Sequence, residues 1–181
     1  KLHDQVALML NESDAGLVYS QTDVISEYGK KINLTYSDRC NKLPSGHVFN
    51  KLVKGNFITF ASVIVSRESY YNCGGFPLEY KNSPDYALFL KISHKYKIYS
   101  VDKILCSYRV HDNNLSKGQR VINSLEAINA VSKFLPLKSA SIGLQYHYAN
   151  LFINSILELN IKTLFFSIVK IRKFDILIKR G

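Results

Sequence analysis

The stretch NFITFASVIVSRESYYNCGGF (56–76), followed by SPDYALFLKI (83–92) and YRVHDNNLS (108–116), decides how this chain is read. Within the first segment, the β-branched run Ser62–Ser66 predicts a compact strand. Residues 67–72 then make about one helical turn before a Gly74-Gly75 break. In the second segment Ser83 can cap a helix, Pro84 suits the first helical position and Asp85 falls in the first turn, which predicts a helix over 83–93. Leu88, Phe89 and Ile92 recur on one face of it. Ile98–Val101 and Ile104–Val110 read as two strands or one bent strand, ending in the polar loop that holds His111. This order places a carboxylate and an imidazole at element ends, where groups can converge on a site.

Working outward, residues 1–12 carry Leu2, Val6, Met9 and Leu10 at helical spacing. Residues 15–25 contain the apolar run Leu17–Tyr19 and fit a buried strand that emerges into a loop. Residues 27–30 read as a turn, 31–45 as a polar loop and 47–54 as a short helix. Strands alternating with helices argue for an α/β layer architecture up to a boundary near Lys117-Gly118. Beyond it, helical periodicity runs through 119–134, 140–158 and 161–171. The expected organisation is a domain over 1–118 and a helical extension over 119–181, packed on the domain or forming an oligomer contact.

The chain has 181 residues, 46% hydrophobic and 21% charged, a composition that describes a globular protein and excludes a disordered one. Its formal charge of +10 is unevenly placed. Residues 1–116 hold 14 Lys/Arg against 11 Asp/Glu, whereas 117–181 hold 10 against 3. The three cysteines, Cys40, Cys73 and Cys106, form no CxxC pair, which favours reduced thiols and a cytoplasmic setting over a disulfide framework or zinc site. Leu164–Val169, the longest apolar run near the end, falls far short of the roughly 20 residues that span a bilayer. A first residue Lys1 inside a helix-like pattern reads as part of a longer polypeptide.

Asp85 can project from its helix start into a cleft as a general base, its charge favoured by the helix dipole; simple capping explains the same position. His111 could ligate a metal or assist a phosphate, and Arg109 could pair with phosphate bidentately, or both could belong to a surface turn. Gly74 and Gly75 allow close backbone approach to a ligand, or simply turn the chain. Asn56 and Ser62 bracket an apolar run and could bind substrate or hold structure. His3, His47, His94 and His147 have no ligand spacing and read as structural or surface residues. There is no HExxH, GxSxG, Walker-type loop or GxGxxG. The basic tail over 161–181 interleaves cations with Phe, Ile and Leu. It fits either an amphipathic element on an anionic membrane or a packing helix with a cationic face. No nucleic-acid-binding motif accompanies that charge, and no nucleic-acid partner is expected.

Taken together, LVYSQTDVISEYGKKI (17–32), GNFITFASVIVSRESYYNCGGF (55–76), SPDYALFLKI (83–92) and YRVHDNNLS (108–116) resemble a family 2 glycosyltransferase of the GT-A type, over about residues 1–118. The opening KLHDQVALM is similar to the helix that follows that family's metal-binding Asp-x-Asp. The resemblance implies a partial Rossmann-like, nucleotide-diphospho-sugar transferase fold. The implied reaction moves a sugar from a nucleotide-diphosphate sugar donor to a saccharide or lipid-linked acceptor, with inversion, in bacterial surface polysaccharide synthesis. It implies that Asp85 is the catalytic base and that His111 assists at the diphosphate or at a Mg or Mn ion. Gly74, Gly75 and the segment leading to Asp85 would contact the acceptor. Pro84 stands where the family usually has Glu, and the 181 residues contain no Asp-x-Asp. The chain therefore reads as the acceptor-side half of such an enzyme, not expected to transfer sugar alone. Its expected location is cytoplasmic, with peripheral contact at the inner face of the plasma membrane through residues 161–181. The alternative is a non-catalytic, degenerate transferase module used for protein or membrane association.

Overall fold

The computed structural model describes residues 1–35, 43–112, 114 and 118–178, with side chains described at 1–32, 43–112, 114 and 118–171. The expected boundary residue Lys117, Cys40 and part of the segment closing at 116 lie outside the described residues. In chain order the elements are α1 (Leu2–Asn11), β1 (Ala15–Ser26), β2 (Lys31–Thr35), α2 (Phe49–Leu52), a 3₁₀ turn (Phe60–Ser62), β3 (Ile64–Val65), α3 (Arg67–Asn72), α4 (Pro84–Lys95), β4 (Lys97–Val110), α5 (Arg120–Ser132), α6 (Lys138–Leu157) and α7 (Ile161–Ile178). Among the described residues the fold is mixed α/β, with seven helices and an open four-stranded mixed sheet.

Strand β1 is the spine of the sheet. Along one edge it pairs in parallel with β4, from Ala15↔Lys97 to Ser26↔Val110. Parallel neighbours need a long crossover, and the chain supplies it through α2, α3 and α4. The other edge of β1 is shared: β3 pairs antiparallel at Leu17–Val18, and β2 pairs antiparallel at Asp23–Ile25. Consecutive residues Ser20 and Gln21 face Val101 and Ile104, so Asp102 and Lys103 are extra residues in a bulge. That bulge explains why the sequence reads there as two strands or one bent one.

Two expectations are corrected. Residues 31–35 are strand β2, not the start of a polar loop, because β1 continues to Ser26 and offers its free edge to KINLT. The expected strand 62–66 shrinks to Ile64–Val65. Ser62 closes the 3₁₀ turn, its hydroxyl donating to Thr59 O at 2.7 Å, while the Ser66 hydroxyl accepts the Ser69 N–H at 3.1 Å and caps α3. Helix α1 forms as its spacing predicts, but Leu2, Val6 and Leu10 are exposed. The residue it buries is Gln5, whose amide donates to Ser62 O at 2.6 Å and Val18 O at 3.3 Å.

Helix α4 lies at the centre. Tyr86 through Leu90 and Ile92 are all buried, covering most of its circumference. One hydrophobic cluster joins Leu17 and Tyr19 of β1 and Leu88 and Phe89 of α4 to Val121 and Val131 of α5 and Leu144 and Leu151 of α6. Burial of each such side chain contributes roughly 1.5–3 kcal/mol. Helices α5 and α6 are thus built into the same core as the strands, and this fixes the N-terminal end of α4.

Candidate functional site

Helix α4 begins with Pro84, whose missing N–H costs nothing at that position. Ser83 makes no side-chain capping bond there, contrary to its expected role. The approach to α4 is held instead by Glu126 of α5. Its carboxylate accepts main-chain N–H groups of Lys81 at 2.9 Å, Asn82 at 3.1 Å and Ser83 at 2.8 Å. The Asn82 amide donates in turn to Gln119 Oε1 at 2.6 Å. A charged acceptor on three amides is a strong clamp.

This clamp presents Asp85 to an open cleft of about 320 Å³. One wall is the segment from Asn56 to Phe60. The helix approach contributes Asn82, Ser83, Asp85 and Tyr86. Tyr108 of β4, Asn123 and Ala127 of α5, and His147 of α6 complete it. Burial raises the proton affinity of Asp85 above the ordinary carboxylate range, and the Glu126 charge adds to the rise; the main-chain amides of Tyr86 and Asp85 act the other way. Such a carboxylate is a better proton acceptor than a fully solvated one. Asn123 Oδ1 is a buried acceptor with no hydrogen-bond partner. The Asn123 side chain also lines the cleft, where an amide is suited to hydrogen bonding with a ligand.

Beneath the cleft, His147 ties three helices together. Its Nε2 lies 3.0 Å from Val53 O and 3.0 Å from the Tyr86 hydroxyl, which donates to Leu52 O at 2.7 Å. A carbonyl can only accept, so Nε2 carries the proton. Burial lowers the His147 pKa to about 4, which keeps the ring neutral.

Of the residues singled out from sequence, the structure brings Asp85 and Asn56 into one cleft. Asn56 Oδ1 also accepts the Ile58 N–H at 3.0 Å and shapes the wall. Ser62 is fully buried. The Arg109 guanidinium donates to Ser26 O at 3.1 Å and Glu27 O at 2.7 Å, closing the β1–β2 turn. The His111 N–H donates to Asn114 Oδ1 at 2.6 Å in the turn after β4. Gly74 and Gly75 end α3 with φ of 77° and 64°, left-handed values that favour glycine. Among the described residues no three His, Cys, Asp or Glu side chains gather as a cation site. Reasoning from sequence missed Glu126, Asn123 and the cleft position of His147. Glu126 meets its partners 43 to 45 positions away and His147 meets Val53 94 positions away, so no local spacing marks them.

No protein-family model matches the chain, and no curated protein matches it in sequence.

Proposed function

We propose that this chain forms the acceptor side of an inverting family 2 glycosyltransferase of the GT-A type, in bacterial surface polysaccharide synthesis. The observation that carries the reading is the Asp85 carboxylate at the start of α4, of raised proton affinity, facing a cleft rich in side-chain amides and hydroxyls. Asn56, Thr59, Asn82 and Asn123 offer donors and acceptors to sugar hydroxyls, and Phe60 offers an apolar surface to a sugar ring. In the proposed reaction the acceptor hydroxyl oxygen attacks the anomeric carbon of the donor. Asp85 takes the hydroxyl proton as the new C–O bond forms, and the nucleoside diphosphate leaves with the electrons of the broken bond. A donor sugar and any Mg or Mn ion would be held largely by residues other than these.

Saccharide binding by the 181-residue chain tests the reading, using a panel of bacterial surface oligosaccharides and titration of the positives. The expected result is binding that Asn123→Ala weakens about fivefold, the worth of one neutral hydrogen bond. A well-folded chain that binds none of them would favour the non-catalytic module instead.

A further inference from the structure

We propose that the corner between α6 and α7 is a docking surface for an anionic lipid bilayer. Among the described residues no helix is long and apolar enough to cross a membrane, so the surface would lie on the bilayer. Helix α7 turns Ile161, Phe165 and Val169 outward, 79%, 70% and 50% exposed and one turn apart. Leu159, just before it, is 86% exposed. Its φ of 52° is the left-handed conformation that normally favours glycine or asparagine. A bulky apolar side chain is thus displayed where backbone preference argues against it.

The corner is held rigidly. The Ser155 and Thr163 hydroxyls lie 2.8 Å apart, and Asn160 Oδ1 accepts the Thr163 N–H at 3.2 Å.

Charge selects the occupant. Residues 161–181 hold six Lys/Arg and one Asp. Lys162 is exposed on the outward face, and Lys170 lies with its ammonium 5.5 Å from the Phe166 ring centre. Glu158, the acid nearest the corner, is turned away: its carboxylate accepts the Arg120 N–H at 2.6 Å and the Val121 N–H at 3.3 Å. An apolar ridge flanked by cations complements the acyl boundary and anionic headgroups together. A two-fold contact between copies of this face would set the same cations against each other. Nucleic acid would use the cations but leave the ridge exposed.

The test is sedimentation of the 181-residue chain with phosphatidylglycerol-containing vesicles and with pure phosphatidylcholine vesicles, alongside its mass in solution. The expected result is binding to the anionic vesicles that weakens with salt. Leu159→Gly with Phe165→Ser should reduce that binding at least about tenfold. Leu159→Gly suits the left-handed backbone, so circular dichroism and the melting curve should show the fold retained. Three results would overturn the proposal: no anionic-vesicle binding, equal binding to phosphatidylcholine, or a folded double variant that binds undiminished. A dimer that the same variant abolishes would assign the ridge to self-association and equally overturn it.

Discussion

Asp85 and His147 share one cleft, and burial moves their protons in opposite senses. Burial lowers the His147 pKa to about 4, below an unfolded value of 6.5. Between these values the unfolded chain binds a proton that the folded chain refuses. Stability supplied by the neutral ring is therefore complete above pH 6.5 and is lost as pH falls toward 4, by up to about 3 kcal/mol. Asp85 has the contrary sign: with its proton affinity raised, its contribution favours folding at low pH and is lost as pH rises through its folded value. Urea midpoints at pH 7.5 and 4.5 in an Asp85→Asn background isolate the histidine. His147→Gln, which can still donate to Val53 O, should flatten the dependence; an unchanged pH dependence would remove His147 as its source. Asp85 was legible in the sequence because proline and an acid at a helix start are local signals. The raised proton affinity was not, since it comes from burial and from Glu126, 41 positions away.

At the scale of elements, α4 is a good example of what local chemistry can specify. Its start at Pro84 follows from a proline and then Asp85 in the first turn, and its near-complete burial follows from an apolar stretch from Tyr86 to Leu90. Strand β2 is the counterexample. KINLT carries only two apolar residues, and its strand state depends on the edge of β1, which no window around residue 31 reveals. The docking of α6 onto α2 is equally non-local. A Cβ added at Gly143 would overlap Val53 O, next to the carbonyl bonds that hold Tyr86 and His147. Alanine in a helix interior normally gains about 1 kcal/mol over glycine. Here the overlap with rigid backbone outweighs that gain, and Gly143→Ala should destabilise the chain by about 1–3 kcal/mol. Chemical denaturation measures the sign, and a stabilised variant would contradict the packing described.

Across the whole molecule, one core runs from β1 through α4 into α5 and α6, and the candidate cleft is walled by both. The change of pattern near Gly118 is visible in the sequence, where strands give way to helices. The contribution of those helices to the cleft is not visible, because Glu126, Asn123 and His147 look like ordinary positions on amphipathic helices. Helix α1 shows the converse limit: its apolar spacing predicts the helix, while its outward Leu2, Val6 and Leu10 show that spacing does not fix which way a face turns. The cleft's assignment rests on the Asp85 carboxylate as proton acceptor. The most direct measurement is the rate of sugar transfer by a polypeptide that carries these residues together with a nucleotide-sugar-binding half, compared between wild type and Asp85→Asn. The prediction is a loss of about 10²–10⁴-fold in transfer with saccharide affinity little changed. Transfer at an undiminished rate by the folded Asp85→Asn protein would contradict it.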